Sequence, residues 1–473
     1  MKYHLAVDIG ASSGRHILGW LEDGRICLKE IYRFENRLIR RNEHLCWDID
    51  HLLEEVLNGI ELCGREGYQP ETLGIDTWAV DFVLLDKEGK RISEAVSYRD
   101  DRTDGIMDEL EQKGILTFAE HYARTGIQYQ KFNTAYQLLA LRKEEPETLE
   151  KAEKMLMIPD YLNYMLTGIT AQEYTNASTT ALVNAETNSW DLELIGKLGL
   201  PERIFGKISP AGTILGEFNE AAQKRTGLNM KVILPATHDT GSAFLAVPAQ
   251  DDSSVFLSSG TWSLLGVENK AAITEAASRE LNFTNEGGYE YRYRYLKNIM
   301  GLWMIQSVRR ELKDAEGKLP SFPELIAAAQ ESHDFPSAVN PDDDRFLAPA
   351  SMIEELKQAC EDSSQPVPAT VGEIMQTVYN SLSRDYRQAI EDLKKLTGKD
   401  FRAIHIVGGG SQDMYLNQMT ANAAGLPVYA GPTEGTALGN LIVQFISSGE
   451  IQTLQNARTM IRNSFEIREV LPE

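Results

Sequence analysis

Apolar residues at alternate positions open the chain: Tyr3, Leu5, Val7 and Ile9 are interleaved with His4, Ala6 and Asp8, which is the period of a β-strand. Further β-like runs at 17–21 and 26–34 follow across turns at 10–14 and at Asp23-Gly24, so an antiparallel meander is expected. The spacing then becomes helical. Leu52, Leu53, Val56, Leu57, Ile60 and Cys63 recur on one face, behind a cap at Asp48 or Asp50. A second strand pair is expected within 73–85, closed by a turn at 86–89, and residues 104–167 are mainly helical in pattern. Val232, Ile233 and Leu234 form a short buried strand that runs into Pro235-Ala236-Thr237-His238-Asp239-Thr240-Gly241, a turn before a helix.

After residue 247 the composition becomes small and polar, and a strand run begins at Val255. The domain boundary is expected here, giving domains 1–247 and 248–473. The order then repeats: strand, the turn Ser258-Ser259-Gly260-Thr261, strand 262–267, and a β-like run at 289–296. A long helix is announced by the capping box Thr370-x-x-Glu373. Strand 403–407, a triple-glycine turn, a helix over 412–424 and a short strand at 428–430 complete the pattern. The second half thus repeats the plan of the first.

At 473 residues, two domains are the default. The balance of 70 acidic against 47 basic residues, a formal charge of −23, disfavours nucleic acid or an anionic membrane as the main partner. Cys27, Cys46, Cys63 and Cys360 lie far apart with no histidine at metal-ligand spacing, so neither structural zinc nor a disulfide scaffold is expected. An acid at residue 8 interrupts any signal-like apolar run, and no stretch approaches the roughly 18 residues of a membrane span. A cytoplasmic location is expected. Monomer and homodimer are equally compatible with the pattern.

Several stretches carry possible chemistry. Asp239 is an acid at the end of a buried strand, and desolvating an unpaired carboxylate costs several kcal/mol or raises its pKa. Either a structural partner holds it or it is placed to take a proton. Gly10-Ala11-Ser12-Ser13-Gly14-Arg15 is a turn of small and hydroxylated residues whose backbone amides can cradle phosphate, with Asp8 beside it to orient a hydrated Mg²⁺. The turn at 258–261 repeats that chemistry. Gly408-Gly409-Gly410-Ser411 reads first as a tight strand-to-helix connection, with anion binding at the helix start as the alternative. No P-loop, dinucleotide fingerprint, zinc-protease motif or nucleophile elbow is present. Adjacent residues on an extended chain point apart, so separate roles are expected for His238 and Asp239. Asp342-Asp343-Asp344 is expected to be a solvated loop, and Trp78, Trp262 and Trp303 to be core residues.

Taken together, residues 8–15, Gly74-Ile75-Asp76-Thr77-Trp78 with 80–86, Tyr98-Arg99-Asp100, Glu173-Tyr174-Thr175-Asn176-Ala177, His238-Asp239-Thr240, 257–264, 297–303, Asn340-Pro341, 343–346 and 405–410 resemble the FGGY carbohydrate kinases of the actin-like, hexokinase-like ATPase superfamily. The resemblance covers nearly the whole chain. It implies an α/β fold of two actin-like (ribonuclease H-like) domains, each a mixed sheet flanked by helices, with an interdomain catalytic cleft. It implies Asp239 as catalytic base, and Ala11, Ser12, Ser13, Gly14, Arg15, Thr261, Gln306 and Gly409 as ATP contacts. The sugar contacts implied are Ala79, His238, Asp239, Thr240 and Asn298, with Mg²⁺ near Asp8. The implied reaction is ATP-dependent phosphorylation of L-rhamnulose at its C1 hydroxyl; another ketose such as L-fuculose or a xylulose, or a non-catalytic sugar sensor, is the alternative. One position departs from the family pattern, which has glycine where this chain has Ala79. The departure matters if that residue needs a positive φ.

Overall fold

The computed structural model describes residues 1–313 and 316–473. It divides into two compact units: 1–250 with 268–295 and 435–464, and 251–267 with 296–434 and 465–473. The units are therefore not the two continuous segments drawn from the sequence. Two later stretches return to the first unit, and each has a physical reason. Strand Thr284–Gly287 is tied there by Gly287 N donating to Ser178 Oγ at 2.7 Å and Tyr122 Oη donating to Phe283 O at 2.8 Å. Helix Gly435–Ser447 is tied by Asn440 and Gln444, whose side chains bond strand backbone in the first sheet.

The first unit is built on a six-stranded sheet in the order Ile214–Glu217, Lys231–Ile233, Pro70–Thr77, Tyr3–Ile9, Ser13–Glu22, Arg25–Glu35. The last three form the expected meander. Pro70–Thr77 lies parallel to the first strand, and Lys231–Ile233 parallel to Pro70–Thr77. Alternation sorts the first strand's side chains. Leu5, Val7 and Ile9 enter the core shared with Leu52, Val56 and Ile60 of helix Ile49–Arg65, which Asp48 caps. Gly74, in register with Ala6, lies on the other face, against helix Gly435–Ser447: a Cβ on Gly74 would meet Asn440 Oδ1 at 2.4 Å.

Residues 73–85 do not form a strand pair. Pro70–Thr77 stays in the main sheet, whereas Phe82–Leu85 pairs with Lys154–Met157 beneath a helical layer. The break falls at Val80, whose φ of 65° is a conformation that a β-branched residue rarely adopts.

In the second unit, Trp262–Asn269, Ser254–Ser259, Ala403–Val407, Val428–Ala430 and Arg468–Val470 are neighbours in that order. Their pairings run antiparallel, parallel, parallel, antiparallel. That is the sequence of senses found in the first sheet from Ser13–Glu22 to Ile214–Glu217. The repeated plan read from the pattern is thus a repeated topology. The long helix Val371–Thr397 begins at the expected capping box. Among the described residues all four cysteines are free, and no helix is long and apolar enough to cross a membrane.

Candidate active site

Asp8 sits at the centre of the first sheet, in register with Arg15 on one side and Asp76 on the other. Arg15 Nε and Nη2 both donate to Asp8 Oδ2, at 3.0 and 2.9 Å. Asp76 is fully buried, with Oδ2 accepting 2.6 Å from Asn440 Nδ2 and Oδ1 without a hydrogen-bond partner. Burial first, and the Asp8 charge second, push its carboxyl well above the usual range.

The turn after the first strand is closed by Gly10 N donating to Ser13 O at 2.9 Å, and Asn36 pins Gly10 O and Ser12 O from the third strand's end. Ser12 is exposed, and Ala11 and Ser13 are half-buried. Gly14 is buried, and a Cβ there would meet the Phe34 ring at 2.1 Å. The turn keeps its backbone open while its base is tightly packed.

Asp239 is the first residue of helix Asp239–Leu245, and His238 is its N-cap. Thr240 N and Oγ1 donate to Asp239 Oδ1 at 2.6 and 3.1 Å, while the side chain as a whole keeps 29 % of its surface accessible. Burial on its other sides raises the carboxyl above the ordinary range; His238 opposes the shift and the Asp8 charge adds to it. The helix is seated against Gly435–Ser447, where a Cβ on Gly439 would overlap Ser242 O at 1.7 Å. Only glycine admits that approach.

His238 and Asp239 do not point apart as an extended chain would require. The backbone turns into the helix between them, bringing His238 Nε2 to 3.4 Å from Asp239 Oδ1. Arg294, 1 % exposed, directs Nη2 at His238 Nδ1 from 3.0 Å and Nη1 at Glu286 Oε2 from 3.1 Å. A guanidinium only donates, and Glu286 Oε2 lies 3.3 Å from the same Nδ1, so that ring nitrogen is bracketed by a donor and an acceptor. Arg294 was invisible in the sequence, lying 56 positions from its partner.

The loop carrying Ala79 hangs from Asp81. Its Oδ2 accepts from Trp47 Nε1 at 2.6 Å, Trp78 Nε1 at 2.9 Å and Tyr98 N at 3.1 Å, and its Oδ1 from Gln137 Nε2 at 2.9 Å. Burial nevertheless raises the carboxyl to about 6. Thr134 Oγ1 donates to Val80 O at 2.6 Å, holding the strained residue. The left-handed residue is Val80, and Ala79 is not among the residues with positive φ. A methyl at residue 79 therefore imposes no backbone strain.

In the second unit the predicted nucleotide residues gather round Ser259. Gly408, at φ 88°, would place a Cβ 2.8 Å from Ser259 O, and Gly410 would place one 1.9 Å from Ser259 Oγ. Gly409 between them is exposed, with open space where a Cβ would go. Trp303 N donates to Thr261 O at 3.1 Å, which docks helix Trp303–Glu311 and its Gln306 beside the 258–261 turn. The glycines do not open a helix. A 3₁₀ turn, Gly409–Gln412, intervenes, and Asp413 caps Met414–Ala424 by accepting from Leu416 N, so that helix start has its own anion. Asn298 is half-buried on strand Tyr293–Met300 in the same unit.

Of the aspartate run, Asp342 pairs with Lys297 at 3.2 Å and Asp343 caps Arg345 N at 3.0 Å. Trp78 is buried as expected, but Trp262 and Trp303 are only partly so, because both flank the open 258–261 turn. Among the described residues no three histidine, cysteine or acidic side chains converge on a cation position. Asp8 has one oxygen taken by Arg15, leaving the other for a hydrated ion, the mode in which Mg²⁺ commonly meets a single carboxylate.

Comparison with known proteins gives three concordant findings. The model of the FGGY family of carbohydrate kinases, N-terminal domain, matches residues 3–246, and that of its C-terminal domain matches 255–448. The chain is 50 % identical over 464 residues to a protein named rhamnulokinase from Oceanobacillus iheyensis, covering 98 % of this chain and 97 % of that one. It is 44 % identical over 471 residues to the rhamnulokinase of Bacillus subtilis, covering 99 % and 95 %. Among solved structures, gluconate kinase from Lactobacillus acidophilus superposes with a TM-score of 0.81 at 19 % identity, and Plasmodium falciparum glycerol kinase with ADP gives 0.79 at 14 %. Each of these structures covers the whole of this chain, with 94 % and 95 % of its own length matched.

Proposed function

This chain belongs to the FGGY family of carbohydrate kinases, and from that premise we propose that it transfers the γ-phosphoryl group of ATP to the C1 hydroxyl of L-rhamnulose. The products are L-rhamnulose 1-phosphate and ADP. The sugar follows from the relatives named rhamnulokinase, which are 42–50 % identical over nearly the full chain. The observation that carries the chemistry is Asp239. It is an acid with a raised proton affinity, one oxygen engaged by Thr240 and a side chain partly open to solvent.

In this reading the C1 oxygen attacks the γ-phosphorus while its proton passes to Asp239 Oδ2, the oxygen that Thr240 leaves free. Phosphoryl transfer asks for positioning and charge stabilisation more than for covalent help. Residues 11–15 and Thr261, Gln306 and Gly409 supply the nucleotide contacts, chiefly through backbone amides at turns. Ala79, His238, Thr240 and Asn298 orient the sugar, with His238 Nε2 3.4 Å from the base. Residues 1–247 bear the base and the nucleotide contacts at 11–15, and 248–473 bear those at 261, 306 and 409. Asp8 would hold Mg²⁺ through water, and the ion would supply charge neutralisation to the phosphates. The acceptor and ATP are small molecules, and a cytoplasmic location, where ATP is supplied, fits this reading.

ADP release measured across L-rhamnulose, L-fuculose and the xyluloses tests the proposal. Turnover dependent on L-rhamnulose, with the highest kcat/KM in the panel, is expected. Preference for another ketose would overturn the substrate, and no sugar-dependent turnover would overturn the kinase.

A further inference from the structure

The stretch Glu173-Tyr174-Thr175-Asn176-Ala177 carried part of the family resemblance but has no role in the chemistry above. Its carboxylate is fully buried, and on a single oxygen, Glu173 Oε2, two separate segments converge. From its own segment come Thr175 N at 2.9 Å, Thr175 Oγ1 at 2.5 Å and Asn176 N at 3.3 Å. From the catalytic turn come Thr237 N at 3.1 Å and Thr237 Oγ1 at 2.8 Å. Thr175 Oγ1 in turn accepts from His238 N at 3.2 Å. On its other side Thr237 O accepts from Thr77 N at 2.9 Å, the last residue of strand Pro70–Thr77. Thr237 is thus gripped from both sides, two residues before Asp239.

We propose that Glu173 is a positioning residue for the phosphoryl transfer: it fixes Thr237 and His238, and through them the direction in which Asp239 enters its helix. The proposal rests on Asp239 being the base. A carboxyl suits the task because one acceptor oxygen can take donors from several directions; burial raises its proton affinity, and the Thr175 and Thr237 donors oppose that shift. Spending a buried acid here is otherwise unexplained, since an apolar residue would cost the fold less than desolvating a carboxylate. The remaining oxygen, Oε1, is buried and has no hydrogen-bond partner, so every bond the side chain makes runs through the one oxygen that joins the two segments. Stiffness is worth having at this place, because a base displaced by about 1 Å can lose about a hundredfold in rate.

The test uses the full chain and four variants: Asp239→Asn, Glu173→Gln, Thr237→Val and the Glu173→Gln/Thr237→Val double. Asp239→Asn comes first, because near wild-type turnover there would remove the base itself and with it the premise. With that premise standing, Glu173→Gln and Thr237→Val are each expected to lower kcat about tenfold or more, with KM for ATP within about twofold and melting temperatures sufficient for full folding at assay temperature. The double variant should lose scarcely more than the worse single, since both remove one coupled contact. Losses in the double that multiply as independent effects would overturn the proposal. So would a normal kcat per folded molecule in either single variant, whatever happens to its melting temperature. If Glu173→Gln proves too unstable to assay, Thr237→Val alone decides: unchanged kcat rejects the clamp.

Discussion

The two sheets share one plan and differ in what they place at its centre. In the first, the strand residue preceding the turn is Asp8, facing Asp76 and Arg15 across the register. In the second, the topologically equivalent strand ends in Ser258 and Ser259, facing Val407, Leu264 and Ser263. One scaffold is used for charge and proton affinity, the other for uncharged hydroxyls and close-packed glycine. The difference has a physical logic. Burial, with the Asp8 charge adding to it, raises the proton affinity that equips Asp239 to accept a proton. An acid beside a turn meant for a polyphosphate needs a cation to offset it, as Arg15 does at Asp8, whereas glycines with serine backing leave backbone amides exposed without that need.

The sharpest way to break this contrast is at Asp239. Asp239→Asn is expected to lower kcat by about 10² to 10⁴ while leaving ATP affinity near normal, because the loss is confined to general-base catalysis. An equal fall in ATP binding, read by titration with ATP alone, would mean that Asp239 itself helps to hold the nucleotide.

A smaller effect should appear in stability against pH. Asp81 has its carboxyl raised from 3.8 to about 6. Between those values the folded protein keeps a proton that the unfolded chain has released, so stability falls as pH rises through about 4 to 6 and is level above it. The shift of about two units corresponds to about 3 kcal/mol. Denaturant midpoints from pH 4 to 7 should therefore decline in the wild type relative to Asp81→Asn, and parallel profiles would contradict the raised acid.

The smallest expected effect belongs to the glycine half. Gly410→Ala forces a methyl against Ser259, and overpacking of this kind costs about 1–3 kcal/mol, so KM for ATP should rise about tenfold or more. Gly409→Ala enters open space and should change it by about twofold at most. Equal effects at the two positions would show that close packing on Ser259 does not shape the turn.

Much of the first sheet was legible because its signals are local. The meander, the helix capped at Asp48 and the Thr370–Glu373 box each follow from periods and caps within a dozen residues. The repeat was legible for the same reason, strand by strand. The false strand pair at 73–85 came from an apolar run whose interruption is a conformational one, at Val80, and β-branched residues carry no sequence signal for a positive φ. The helix expected over 412–424 is present as Met414–Ala424, its start moved by two residues because a 3₁₀ turn that glycine permits but does not announce precedes it.

By itself the sequence determined the element types, the two-fold repeat of their order and the candidacy of Asp239, since period, turn chemistry and a misplaced charge are properties of short windows. Tertiary structure alone decided that residues 435–464 return to the first unit, that Asn440 meets Asp76 across 364 positions, that Arg294 reaches His238, and that Glu173 grips Thr237. Those partners are joined by burial. A buried polar group must find a donor or acceptor wherever the folded chain brings one, and its distance along the sequence carries no trace of which one that is.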